Sequence, residues 1–417
     1  ILEVFLPDPK ERLVLQGLSL LKHVGFEGEV INEGKILAEF VQVPWPEFSN
    51  IVNQVHRRGL VGKRGRYRYV TPDLLASWLA ADIWNARTDD VRQLLDKLPP
   101  NGSRDAFFER IKDLSTDSRA QMVIRSLLSE ANFRSIEQLD NETSSKIFYM
   151  LTLADPQSSL SAMERLIGGV SVERLRSFTR GRRNVVNALN YVKWFKDTFF
   201  GAARLLLVLA EAENEEYSNN ATGIWTGLFR LRLSGTEVPL LDRIRLLEEI
   251  IETGSVQRRI LALKAIAITM TLHEIRSFGI ETEGPRPVPP EWHPRTFGEI
   301  WEVYRKELQL VDKLMQDADP RVSEEARRVL LDSSRAIVAV GLADELINRL
   351  DVLDIKSEKE RRDLRESIRL ILEYEQEKLK GDQRYKLIEL EEKHTGATYR
   401  DRLRRWVGQW SFGDWSI

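Results

Sequence analysis

The sequence predicts a mainly α-helical protein in which a winged-helix module is followed by a HEAT-like α-solenoid. Apolar residues recur at helical spacing through most of the 417 residues. Near the N-terminus, three such helices precede two short segments with the alternating pattern of a β-hairpin. Farther along, two helical segments align on each other, which indicates a repeat.

These patterns divide the chain into four predicted parts. A winged helix is expected over 1–86 and a helical linker or bundle domain over 87–180. HEAT-like repeats follow over 181–355, with a proline-rich insertion near 280–294. The last part, 356–417, is predicted to contain charged C-terminal helices and an aromatic tail.

Composition limits the class of protein. Hydrophobic residues at 42% and charged residues at 30% are typical of a folded, soluble chain. No apolar run reaches the roughly 18 residues that a membrane span needs, so we expect no membrane contact. The absence of cysteine excludes disulfides, thiolate metal sites and cysteine nucleophiles, and it fits a cytoplasmic protein. The net charge of −2 excludes a uniformly basic nucleic-acid coat but allows a local basic patch.

The first residue is Ile, and 1–7 lacks the basic and apolar regions of a signal peptide. We therefore expect the chain to be a piece of a longer protein.

The first helix has a complete start signal. Asp8 can cap it, Pro9 fits its first position and Glu11 lies three residues after the cap. Two more helices are predicted at about 32–40 and 46–58. Gly59 then closes the third helix in a left-handed conformation.

A β-hairpin is predicted next, because the residue pattern changes from the helical period of 3.6 residues to a period of two residues. One strand is expected at 60–61, a turn at Gly62–Gly65, and a returning strand in which Tyr67 and Tyr69 alternate with arginines. A closing helix is expected to be capped by Thr71 and to begin at Pro72. Three helices followed by a hairpin is the order of a winged helix.

Basic residues in this module allow two interpretations. Helix 46–58 could enter a DNA major groove while the cations contact phosphates. Alternatively, the cations are solvated or pair with another domain, which the near balance of acidic and basic residues in the module favours. The candidate nucleic-acid or interdomain contacts are Arg57, Arg58, Lys63, Arg64, Arg66 and Arg68.

Two stretches of the sequence resemble a known class of proteins. Residues 66–80 read RYRYVTPDLLASWLA, which resembles the end of the winged helix in STAND-class signalling NTPases, where Met-His-Asp and two leucines are frequent. Asp73, Leu74 and Leu75 match, whereas Thr71 and Pro72 replace the Met and His. Residues 209–225 read LAEAENEEYSNNATGIW and are similar to the helical region after the NTPase in bacterial members, several of which act in antiviral defence.

The resemblance implies a C-terminal, non-catalytic arm of such an NTPase. The phosphate-reading histidine of some relatives is absent, and the chain has no Gly-x4-Gly-Lys-Ser/Thr P-loop. The five histidines are dispersed, without metal-site spacing. We therefore expect no catalytic residue, metal or cofactor in this chain.

The clearest repeat unit begins at Asp319-Pro320. A shift of 64 residues places Ser255 on Asp319 and Ala262 on Ala326. That offset is too long for one repeat, but the segment between them holds the proline-rich insertion. Removal of about 20 residues restores a HEAT-type period.

The insertion and the C-terminal tail supply four candidate partner-binding residues. A docked local plug is the alternative for Trp292, and an anchor onto the helices is the alternative for the tail. The candidates are Trp292, Trp406, Trp410 and Trp415.

Two functions remain open from the sequence. The first is a regulatory and protein-recognition arm that senses a protein trigger in bacterial defence and contacts other domains of its parent protein. The second is a winged-helix, DNA-binding or transcription-associated scaffold. A homo-oligomer is compatible with either.

Overall fold

The computed structural model describes residues 6–99, 102–115, 117–129, 133–272 and 287–395, without the side chains of Thr88, Asp89 and Arg92. Within these ranges the protein is mainly α, with 22 α-helices and one small antiparallel sheet near the N-terminus. The chain forms two compact units, Ile1–Ala221 with Phe278–Pro290, and Thr222–Ser277 with Glu291–Ile417. This division does not test the four predicted parts, which stay a prediction.

The first unit begins with four helices around the sheet. The Asp8 side chain accepts hydrogen bonds from the backbone N–H groups of Lys10 and Glu11, which confirms the predicted cap. Gly59 has a φ of +81° and ends the third helix as predicted. The fourth begins one residue later than predicted, with Pro72 at its N-cap and no side-chain cap. These helices are α1 Pro9–Ser19, α2 Ile31–Phe40, α3 Trp45–Arg57 and α4 Asp73–Ala86.

The sheet has the strand order β1-β3-β2, with both pairs antiparallel. Strand β2 runs through Arg64, so the predicted turn at 62–65 is wrong and the reversal lies at Gly65, whose φ is +55°. Strand β1 was not predicted because two residues cannot show an alternating pattern. The strands are β1 Val24–Gly25, β2 Val61–Arg64 and β3 Tyr67–Val70.

Aromatic packing joins the sheet to α3. The Phe26 ring lies 4.9 Å from the Trp45 ring, and Phe48 is fully buried beside both. Gly34 on α2 allows this approach, since a Cβ there would lie 2.8 Å from the Trp45 indole. The module therefore has its own core.

The rest of the first unit is helical, and α9 is its centre. It packs against α6, α7, α8, α10 and α12 and buries Phe148, Leu151 and Ala154. The helices are α5 Thr88–Lys97, α6 Ser103–Asp113, α7 Ser118–Leu127, α8 Ile136–Leu139, α9 Glu142–Ala154, α10 Pro156–Ile167, α11 Val172–Ser177, α12 Arg182–Val192 and α13 Lys196–Glu211.

The second unit is a stack of helix pairs. Helix α15 packs on α16, and helix α17 packs on α18. Helix α15 also contacts α17, and helix α16 also contacts α18. Beyond them, α21 packs on α18, α19 and α22. The helices are α14 Ala221–Gly227, which begins at the last residue of the first unit, α15 Leu240–Thr253, α16 Val256–Thr269, α17 Phe297–Met315, α18 Pro320–Asp332, α19 Ser334–Ala339, α20 Ala343–Asp351, α21 Glu358–Tyr374 and α22 Gly381–Lys393.

The two segments that align in the sequence begin in the same way. Ser255 caps α16 through a bond from the N–H of Arg258, and Asp319 caps α18 through a bond from the N–H of Arg321. Ala262 and Ala326 occupy matching positions and are fully buried. Helices α16 and α18 therefore present equivalent faces to the core, and the proline-rich segment lies between α16 and α17.

The charged C-terminal region contains a helix pair, α21 and α22, which contact each other. Leu364, Ile368 and Ile371 form its buried stripe. Among the residues that the structure describes, no helix is both long and apolar enough to cross a membrane.

Candidate functional site

Five of the six basic candidates in the first module are exposed, and Arg68 is buried. The strand register explains the difference. Lys63 and Arg68 are cross-strand partners and share the face of the sheet that carries the buried Val61 and Val70. The Arg68 guanidinium lies 5.3 Å from the centroid of the Phe26 ring.

Glu27 neutralises the cations on that face. Its Oε1 accepts hydrogen bonds from Lys63 Nζ at 2.9 Å and from Arg68 Nη2 at 2.6 Å. The Lys63 and Arg68 bonds to the ionised form lower the pKa of Glu27 to about 2. One carboxylate therefore pairs with two of the predicted phosphate contacts.

The remaining basic candidates divide into two groups. Arg58 pairs with Glu11, and Arg66 Nη1 lies 3.6 Å from Glu29 Oε2. Arg57 and Arg64 form no ion pair with any residue that the structure describes. The charge of the module is thus mostly balanced by its own carboxylates.

Asp73, which matches the STAND pattern, belongs to a second network of charges. Arg110 is buried and its Nη1 donates to Asp73 Oδ1 at 3.1 Å, to Ser77 Oγ at 3.1 Å and to Asp113 Oδ2 at 3.0 Å. Lys22 Nζ reaches Asp73 at 2.8 Å and Asp113 at 2.6 Å. Burial raises the pKa of Asp73, but the Lys22 hydrogen bond and the Arg110 charge outweigh it, so this pKa lies below its usual value.

The first two turns of α4 carry an exposed apolar pair. Leu74 is 62% exposed and Trp78 is 45% exposed, and the spacing of four residues places them on one face of the helix. Asp73 is therefore fixed at the start of a helix whose neighbouring apolar side chains contact solvent.

The stretch 209–225 contributes to a buried structural network. Arg182 is fully buried, and it donates to the backbone carbonyls of Leu175 at 3.0 Å and Leu209 at 2.6 Å. Its guanidinium also lies 3.4 Å from Glu213 and 3.7 Å from Glu215. The acidic residues of this stretch thus balance a buried arginine within the first unit.

Trp292 is docked on its own unit. Its backbone N–H donates to the Thr236 carbonyl at 2.8 Å, and its ring lies 5.4 Å from the Arg243 guanidinium carbon. The neighbouring Glu291 accepts from the Gly235 N–H at 2.8 Å. Of the two predicted alternatives, this geometry matches a local plug. The other three tryptophan candidates, Trp406, Trp410 and Trp415, lie outside the described residues.

Glu307, on α17 in the second unit, is a buried carboxyl that no sequence pattern predicts. It is fully buried and accepts from the Thr269 hydroxyl at 2.8 Å. Its second oxygen, Oε2, has no hydrogen-bond partner among the described residues. Burial raises the pKa of Glu307 well above its usual value, against the opposing effects of the Thr269 bond and the Arg243 charge. In the sequence, Glu307 is one charged residue among many in its helix, so nothing indicates that its side chain is buried.

We expect Glu307 to make the second unit less stable as pH rises. The folded state holds its proton more tightly than the unfolded chain, so the free energy of unfolding should fall above pH 4.5, by up to about 1.4 kcal/mol per pH unit. Glu307→Gln should remove this pH dependence. The unfolding midpoint, measured from pH 5 to pH 8, shows whether it does. The exposed Glu302→Gln is the matched control. Equal pH profiles for wild type and Glu307→Gln would contradict the assignment.

Comparisons with known proteins identify no family: no family model, no curated protein and no solved structure matches the chain. The likeness of 66–80 and 209–225 to STAND proteins consequently rests on those residues alone. Within the described residues, no group of three His, Asp or Glu side chains could hold a metal ion.

Proposed function

We propose that this chain is a non-catalytic regulatory and protein-recognition arm of a STAND-like signalling NTPase, and that it senses a protein trigger in bacterial defence. In this proposal the first module is a winged helix and the stacked helix pairs of the second unit are HEAT-like repeats. One observation carries the argument. The module pairs most of its cations internally while α4 exposes Leu74 and Trp78.

Protein contact fits that surface better than duplex DNA. A DNA reader needs cations free to replace the counterions of phosphates, and Glu27, Glu29 and Glu11 occupy most of them here. Exposed Leu and Trp on one helix face instead offer the apolar area that protein interfaces bury. Asp73, held by Lys22 and Arg110, fixes the start of this helix.

The second unit supports the recognition part of the proposal. Helix pairs stacked on their neighbours give an extended surface in repeat proteins, and such surfaces commonly bind other proteins. Two ion pairs join α17 to α20 in this unit. Arg349 lies 2.9 Å from Asp312, and Arg305 lies 2.9 Å from Glu345.

The flanking coding sequence tests the assignment to the STAND class. We expect a P-loop of the form Gly-x4-Gly-Lys-Ser/Thr in the same polypeptide, because a regulatory arm requires an NTPase to regulate. Sequencing of the complete open reading frame supplies the measurement. An open reading frame without a P-loop would contradict the proposal.

Duplex DNA binding is the second candidate function. Arg57 and Arg64, which form no ion pair with the described residues, favour it. If only these two cations meet phosphates, the logarithm of the affinity should fall with the logarithm of salt concentration with a slope of about −2. If all six candidates meet phosphates, the slope should be about −5.

Glu27→Gln separates the two cases. It releases the exposed Lys63 and should steepen the slope by about one, whereas Glu302→Gln, at an exposed glutamate of α17 in the second unit, serves as the control. Fluorescence anisotropy with a labelled duplex gives both slopes. A wild-type slope near −5, or tight sequence-selective binding, would favour the DNA function over the regulatory arm.

A further inference from the structure

The sheet of the first module has a second face, which Val30 covers at Gly25 of β1 and which is exposed at Arg64 and Tyr69. Gly62 lies opposite Tyr69 and Arg64 lies opposite Tyr67, so these four residues share one face. Lys63 and Arg68, with Glu27, belong to the other face. His23 joins the first set through its ring contact with Tyr67. We call His23, Gly62, Arg64, Tyr67 and Tyr69 the open sheet face.

The Tyr69 ring lies across the neighbouring strand β2 at Gly62. A Cβ at Gly62 would fall 2.3 Å from the Tyr69 ring, so only glycine lets the ring rest there. The side chain nevertheless stays 36% exposed. One surface of this ring therefore covers the sheet, and the other is available to a ligand.

Tyr67 is the second ring of the same face. His23 meets it edge-on, with ring centroids 5.1 Å apart and planes at 88°, and this contact fixes the tyrosine's orientation. Residues two apart on a strand are about 6.6 Å apart. The two side chains thus form a short aromatic row on one face of β3, with the Tyr69 ring over β2 and the Tyr67 ring beside His23 on the β1 side.

The charge beside this row is positive. Arg64 is exposed and forms no ion pair with the described residues. The carboxylates around the sheet already have partners. Glu27 pairs with Lys63 and Arg68, Glu29 pairs with Arg66, and Glu33 accepts from the Gly25 N–H of β1 at 2.7 Å. A ligand for this face should accordingly combine flat rings with negative charge.

We propose that the open sheet face binds single-stranded nucleic acid, with Tyr67 and Tyr69 stacked on unpaired bases and Arg64 on a phosphate. Aromatic side chains on an open sheet face recognise single strands in this manner, and stacking tolerates any base. A duplex hides its base faces within its own stack. This binding is independent of the proposed regulatory role.

The test uses the full chain and a fluorescein-labelled ten-residue oligothymidylate, followed by anisotropy at 50 and 200 mM salt. We expect tighter binding to this strand than to a hairpin duplex. Tyr67→Ala and Tyr69→Ala should each weaken it by at least about fivefold, the lower limit for one lost stacking contact. Tyr67→Phe and Tyr69→Phe should keep it, because the ring and not the hydroxyl makes the contact.

Two further variants complete the design. Arg64→Ala should reduce the salt slope by about 0.7, as expected for one phosphate contact on a single strand. Tyr385→Ala is the matched control, since Tyr385 is a 77% exposed tyrosine on α22, and it should leave the affinity unchanged. Circular dichroism establishes that each variant is folded. Absence of binding, preference for the duplex, or equal losses in Tyr385→Ala and the sheet variants would overturn the proposal.

Discussion

The Glu27 carboxylate holds two cations, Lys63 and Arg68, that come from neighbouring strands of the sheet. Arg68 is buried over Phe26, and a buried guanidinium needs a counter-charge to remain in the core. Glu27 provides it and pairs the exposed Lys63 at the same time. The surface chemistry of the module depends on this arrangement, because it removes two positive charges from one face of the sheet.

The two faces of the sheet consequently differ in what they can bind. The face of Glu27 has little free charge for phosphates. The opposite face has two tyrosine rings and Arg64, which is exposed and forms no ion pair within the described part of the chain. The exposed Leu74 and Trp78 on α4 form an apolar surface separate from both sheet faces. A protein-recognition arm and a weak single-strand contact are compatible on such a module, since they use different side chains.

Local signals were readable from the sequence. The cap at Asp8 and the left-handed Gly59 are in the predicted places, because each depends only on residues within one turn. The reversal at Gly65 was misplaced by the same local reasoning. The predicted turn began at Gly62, but the pairing of Gly62 with Tyr69 and of Arg64 with Tyr67 extends β2 to Arg64.

Long-range partners could not be predicted. Glu27 is 41 residues from Arg68, and Thr269 is 38 residues from Glu307, so no pattern within a helix or strand connects them. The six basic candidates cluster in the sequence, yet the pairing of four of them with Glu11, Glu27 and Glu29 requires the folded module. Charge counted along the chain therefore overstates the charge available to a ligand.

The pKa of the Glu27 carboxyl tests the central claim most directly. It can be followed by ¹³C NMR of glutamate-labelled protein, with the Glu27 signal assigned by its loss in Glu27→Gln. Two hydrogen-bonded cations should hold this pKa at about 2. A value near the ordinary 4.5 would show that Lys63 and Arg68 are not paired with Glu27 in solution, and it would contradict the account of both sheet faces.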